Sequence, residues 1–346
     1  METIWFCIIA VMVAIYVVLD GFDLGAGILH LSLGKTEGER RAILASIGPV
    51  WDGNEVWLLA GGGTLYFAFP ALYAAGFSGF YLPLMMVLWL LILRGISIEF
   101  RNHITSHVWR PLWDTVFCGA SALLVIFFGA ALGNVVRGVP LDASGYFFLP
   151  LWTDFSVGQS VGILDWYTVL IALAAFLTLA QHGALWIALK TSGDLELRAR
   201  RVAGRLWWGV AAAVIVITLV SFRVQPHLAE SFRERPWGYV FPLLALAGLF
   251  MIKFFIGLRS FLGSCIFIVG MLTSVVFGVY PMVLPASGDP ALSLTIHNAA
   301  AARYGLEVGL VWFIPGIALA IGYFIYTYRS FQGKVLVETD GHADGY

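Results

Sequence analysis

Two pairs of carboxylates stand in otherwise apolar surroundings. Asp20 and Asp23 lie in Leu19-Asp20-Gly21-Phe22-Asp23-Leu24-Gly25, and Asp52 and Glu55 in Trp51-Asp52-Gly53-Asn54-Glu55-Val56-Trp57. Each pair is spaced three residues apart, which puts both acids on one face of a helix, able to point inward together. A carboxylate inside a bilayer is costly to keep, and the chemistry it suits is taking up and passing on protons, because its charge can alternate. Arg94, Glu99 and Arg101 follow at the end of a later apolar run. Acids and arginines within a turn or two of a helix end commonly snorkel or form structural ion pairs, and Glu55, Arg94, Glu99 and Arg101 read individually in that way. Asp20, Asp23 and Asp52 are different. Asp23 lies about 12 Å below the expected helix end at 1.5 Å per residue, too deep for a short side chain to reach out.

The elements that position these residues are membrane helices. The chain is 60% hydrophobic and 12% charged, a balance that a water-soluble domain of 346 residues could not hide from solvent. A span needs about 20 apolar residues, and nine segments qualify: Ile4 to Leu31, Val50 to Leu72, Phe77 to Phe100, Asp114 to Val136, Val161 to Leu189, Leu206 to Phe222, Gly238 to Leu258, Ser260 to Leu284 and Leu306 to Tyr328. The expected architecture is all-α, polytopic, and a single integral membrane domain over residues 1–346. Helices 1 to 4 occupy about 4–136, helices 5 to 8 about 161–284, and helix 9 about 306–328. Gly25-Ala26 followed by Arg40 and Ala45 recurs 158 residues later as Gly183-Ala184 followed by Arg198 and Ala203. This faint repeat predicts two four-helix bundles plus one peripheral helix. Gly21-x-x-x-Gly25 and Gly129-x-x-x-Gly133 read as close helix-packing contacts.

Thirteen of the 20 Lys and Arg residues fall in the connections after helices 1, 3, 5 and 7 or in the C-terminal tail, and five on the opposite side. The positive-inside rule then places the N-terminus outside and the C-terminus in the cytoplasm. In that topology the acids, with His182 and Lys253, cluster in the cytoplasmic halves, and only interfacial Asp165 and Glu307 lie outward. A funnel open to one side suits proton uptake better than passage across the membrane, which argues against a proton-coupled transporter.

Other chemistries find little support. The net charge of -1 offers no electrostatic footprint for nucleic acid. Cys7, Cys118 and Cys265 lack metal or disulfide spacing. His182 stands alone, without a partner at bis-ligand spacing, and reads as hydrogen-bonded to a neighbouring helix. His103 and His107, spaced four apart, lack a third ligand for a metal.

The same residues carry a family pattern. Leu19 to Gly25, Gly38-Glu39-Arg40-Arg41, Gly48 to Leu58, Phe77 to Tyr81 and Arg94 to Arg101 closely resemble subunit II of cytochrome bd-type quinol oxidases. So do Gly133-Asn134, Arg137 to Pro140, Leu189 to Gly193, Tyr280 to Pro285 and Ser293 to Asn298. The resemblance implies a bacterial cytoplasmic (inner) membrane protein paired with a haem-bearing subunit I. That partner holds two b-type haems, a third haem of d or b type where oxygen is reduced to water, and the quinol site, while subunit II itself binds no haem iron. By the same resemblance, Asp52 matches an acid proposed to admit protons between the subunits. Asp23 and Arg101 match an acid and a base tied to integrity of the haem region, which would suit an ion pair. A structural quinone or lipid and a small accessory subunit accompany some members.

Overall fold

The computed structural model describes residues 1–158 and 161–335, and folds them into twelve α-helices with one short hairpin. α1 (Glu2–Leu33), α3 (Trp51–Ala68), α5 (Tyr81–Phe100) and α6 (Trp109–Arg137) form a first bundle. α7 (Trp166–Lys190), α8 (Gly193–Val224), α10 (Val240–Phe254) and α11 (Leu258–Val279) form a second, and α12 (Arg303–Ser330) runs along the outside. Short α2 (Glu37–Ile47), α4 (Pro70–Gly79) and α9 (His227–Glu234) cover the ends. At the far face the antiparallel strands β1 (Met282–Leu284) and β2 (Leu294–Thr295) close the loop before α12.

Eight helical stretches among the described residues are long and apolar enough to cross a membrane. The expected span from Val50 to Leu72 is not among them, for two reasons visible in its sequence. Asp52, Asn54, Glu55 and the glycines at 61–63 dilute its apolar character. Pro70 then interrupts the helix: it has no N–H to give and disfavours a helical Phe69, which adopts φ -133° and ψ 67°, and it restarts the chain as the first residue of α4. In the other direction, α8 begins at Gly193 rather than near Leu206, because Glu196 and Arg200 pair across one turn and carry the helix past its apolar part.

The two bundles meet at Gly25 and Gly183, which stand 158 residues apart in the sequence. α1 crosses α7 where Gly25 faces Gly183, so closely that a methyl on Gly25 would stand 2.0 Å from the Leu179 carbonyl oxygen and one on Gly183 would stand 2.2 Å from the Gly25 carbonyl carbon. Gly129 and Gly133 of α6 likewise lie directly on the backbone of Ala172 and Thr168 in α7. With little hydrophobic drive between helices in lipid, such backbone-to-backbone contact is what holds the bundles together.

Candidate functional site

Most buried ionisable residues of the first bundle gather, with those of α2, towards one face in two clusters of opposite character. The first is rich in acids. Arg94, wholly buried on α5 and nearly two turns from its end, makes a two-pronged bond to Asp20 of α1, with Nη1 donating to Oδ2 at 3.1 Å and Nη2 to Oδ1 at 2.5 Å. Glu55 of α3 approaches the same guanidinium at 3.5 Å. One turn along α1, Asp23 is also wholly buried, yet its partner is an amide: Asn54 Nδ2 donates to Asp23 Oδ2 at 2.7 Å and reaches the Leu19 carbonyl at 3.3 Å. The amide cannot rotate freely, because Tyr328 of α12 donates its hydroxyl to Asn54 Oδ1 at 2.9 Å. The other oxygen, Asp23 Oδ1, has no hydrogen-bond partner among the described residues, nor do Tyr16 Oη, Trp57 Nε1 and Arg94 Nε nearby. Three carboxyls therefore crowd about one guanidinium, and only Asp20 and Glu55 touch it. Buried like charges at such spacing cannot all ionise without large cost.

The second cluster is rich in cations. Asp114, at the start of α6 and wholly buried, accepts from His30 Nε2 at 2.6 Å, from Arg101 Nε at 2.5 Å and Nη2 at 3.2 Å, and from Arg40 Nη1 at 3.2 Å. Arg101 turns its remaining donors to Glu37, at 3.1 and 2.9 Å, and Arg41 and Arg110 both lie 3.3 Å from that same carboxylate. Two acids face four guanidiniums and an imidazole. Beside them Glu39 caps α2 through a reciprocal pair with Thr36 and binds Arg198 at 2.5 Å, tying α2 to α8. Burial pushes the Glu39 carboxyl up, but Arg198 and the backbone N–H groups of Lys35 and Thr36 outweigh it and hold the group below its ordinary value.

The expected partnerships are thus rearranged. Asp23 does not pair with Arg101; that arginine is taken by Asp114 and Glu37, while Asp20, not Asp23, holds the buried Arg94. Asp52 does not turn inward with Glu55 but is exposed in the first turn of α3, since a register that buries Asn54 and Trp57 must turn position 52 outward. Glu99 is exposed and, among the described residues, joins no ion pair, so of the expected structural pairs only those of Arg94 and Arg101 form. His182 is buried between helices: its Nδ1 meets Ser264 Oγ at 2.7 Å, and its Nε2 donates to the Val18 carbonyl at 2.9 Å, so both ring nitrogens are committed. Sequence reasoning passed over Asp114, His30, Glu37, Asn54 and Tyr328. The signal for Asp114 was present, an acid opening an apolar span, whereas Tyr328 is 274 residues from Asn54 and nothing local announces their meeting.

At the opposite face a buried ion pair joins Arg137 to Asp165, and Asp165 also caps α7 through the N–H groups of Tyr167 and Thr168, both at 2.8 Å. That pair is fully used in fastening α6 to α7. Between the faces, an apolar groove of about 540 Å³ runs among α1, α3 and α12, lined by Trp5, Met12, Trp57, Phe67, Phe313 and Phe324. Among the described residues no group of three His, Cys, Asp or Glu side chains is arranged to hold a metal ion.

Comparison with known proteins bears directly on this arrangement. The family model described as cytochrome bd terminal oxidase subunit II matches residues 1–331. The chain belongs to that family. The cytochrome bd ubiquinol oxidase subunit 2 of Bacillus subtilis is 31% identical, the alignment covering 97% of each chain. A probable cytochrome oxidase subunit 2 of Haemophilus influenzae is 30% identical over 96% of this chain and 94% of its own. The cytochrome bd-I ubiquinol oxidase subunit 2 of Escherichia coli K12 is 28% identical over 97% and 95%. The fold matches a chain in the structure of bd oxidase from Geobacillus thermodenitrificans with a TM-score of 0.70 at 17% identity, covering 95% of this chain and 98% of that one. As a bd oxidase subunit II, the chain is a multi-pass membrane component of an oxidoreductase complex, and the subunit name implies a subunit I beside it.

Proposed function

We propose that this subunit supports assembly of the haem-bearing subunit I and delivers cytoplasmic protons towards its oxygen-reducing haem, with quinol as electron donor. The observation that carries the reading is the acid-rich cluster, in which a wholly buried carboxyl, Asp23, bonds only an amide while two further acids share one arginine. Exposed Asp52 is the uptake point, Glu55 one turn along α3 is the next stop, and Asp20 and Asp23 lie behind it against Arg94. The opposed cation-rich cluster is the fastener that holds this face in shape. The orientation follows from the distribution of Lys and Arg, with the N-terminus outside and the acid-rich face towards the cytoplasm of a bacterial inner membrane. The haems belong to subunit I, since His182 has no ring nitrogen to spare for iron. The apolar groove beside Trp57 suits the tail of a structural quinone or lipid.

The test is steady-state oxygen consumption with added quinol, alongside haem quantitation. Asp52→Asn keeps the shape and removes the titratable group, so turnover and proton uptake should fall several-fold at unchanged haem content. Full activity at normal haem content would remove Asp52 from the route. Orientation is checked by labelling in a cysteine-free background: an impermeant reagent added outside should reach a cysteine at Ser144 and miss one at Ser192. The reverse pattern would turn the funnel towards the wrong side.

A further inference from the structure

Leu197, Arg201, Arg205, Trp208, Ile215 and Leu219 of α8 fall within roughly 80° of arc at 100° per residue, and all six are exposed. After Leu197 the stripe carries two arginines, passes an indole and continues as branched aliphatic side chains. From the neighbouring helix, exposed Lys253 of α10 brings its ammonium to 4.7 Å from the Trp208 ring centre and 5.0 Å from that of Trp207. Trp207 is itself fixed by its Nε1 donating to the Leu249 carbonyl at 2.8 Å. Among the described residues none of Arg201, Arg205 and Lys253 has a carboxylate within 4.0 Å, because the nearby Glu196 is occupied by Arg200 at 2.5 Å and Lys334 at 2.6 Å. An ammonium that merely snorkels extends into water; Lys253 instead lies back on the indole pair of the helix that carries the two arginines. Three uncompensated cations at an aromatic belt, with an apolar track leading away from them, have the charge and layout of a phospholipid.

We propose that Arg205, Lys253 and Arg201, with Trp208, form a specific site for one anionic phospholipid, its phosphate between Arg205 and Lys253 and its acyl chains along Ile215 and Leu219. Charge complementarity selects an anionic over a zwitterionic headgroup, and the continuity of the stripe selects a lipid over a free anion. The site lies on the second bundle, away from the acid-rich cluster, and does not depend on the proton-delivery reading.

The experiment is thermal unfolding of the purified oxidase complex in mild detergent. The additions are mixed micelles of phosphatidylglycerol or phosphatidylcholine, or inorganic phosphate. Phosphatidylglycerol should raise Tm saturably, and neither phosphatidylcholine nor phosphate should reproduce the rise. In R205Q/K253Q the concentration for half the effect should increase at least tenfold, while R205K/K253R should behave as the parent. If the double variant fails to assemble, R205Q and K253Q are measured singly, each expected to be several-fold weaker. An equal rise with phosphatidylcholine or with phosphate, or an unchanged response in the glutamine variants, would overturn the proposal. So would a photo-crosslinker at position 205 that captures a polypeptide of the complex, since the stripe would then be covered by protein.

Discussion

The acid-rich and cation-rich clusters share a face and two helices, α1 and α5, yet differ in how their charges are matched. Around Asp114 every carboxylate oxygen meets a cationic donor, and cations outnumber acids. Around Arg94 acids outnumber cations, and one carboxylate oxygen of Asp23 meets no donor at all. A saturated network has nothing to gain from moving a proton, whereas an acid surplus in a low-dielectric setting can ionise in full only at large cost. On the proposed reading the same residue types serve fastening in one place and exchange in the other, and the ratio of acids to cations decides which.

Substitutions can break that contrast, and the largest effect should come from the saturated side. Asp114→Asn strips the charge that Arg101, Arg40 and His30 converge on, and breaking a buried pair costs about 3–5 kcal/mol. Little assembled complex should then be recovered from the membrane, measured as haem per milligram of protein. Normal recovery would mean that the cation-rich cluster is not the fastener. A smaller and different effect is expected at Asp23→Asn. The amide can still accept from Asn54 and no cation loses its partner, so assembly and haem spectra should survive while turnover falls on the order of tenfold or more. Loss of haem in this variant would restore the pairing with the haem region that the sequence had suggested. The smallest effect concerns Glu39, whose carboxyl is held below its ordinary value by Arg198 and two backbone donors against the opposing effect of burial. A depressed folded value means that its stabilising contribution is full above the ordinary glutamate range and is lost as the pH falls through the lowered one. Unfolding of the parent complex should therefore steepen with acid in that window, and Glu39→Gln should flatten this part of the profile. Identical acid profiles would show that the link between α2 and α8 carries no such weight.

How far the sequence foretold this arrangement depended on whether a signal was local. Spans were legible because apolar length is read along the chain, and the one that departed, at Pro70, departed through acids, glycines and a proline that were equally in view. The burial of Asp20 and Asp23 was legible from depth. Pairing was not, since Arg94 and Asp20 are separated by 74 residues and the choice between Arg94 and Arg101 is one of helix register. Asp52 was misplaced for a related reason. Its spacing to Glu55 was right, but which side of α3 turned inward was set by Asn54 and Trp57 meeting α1 and α12.

The crossing of α1 and α7 has a consequence for how such a chain can change over time. Where a large side chain meets a small one, a mutation on one side can be answered by a shrinkage on the other. At Gly25 and Gly183 both partners are already the smallest residue there is, so neither helix can relieve a gain in the other. Side chains elsewhere along the two bundles can trade size for size, but at this crossing each glycine holds the other to its present composition, and the contact is mechanically unable to drift.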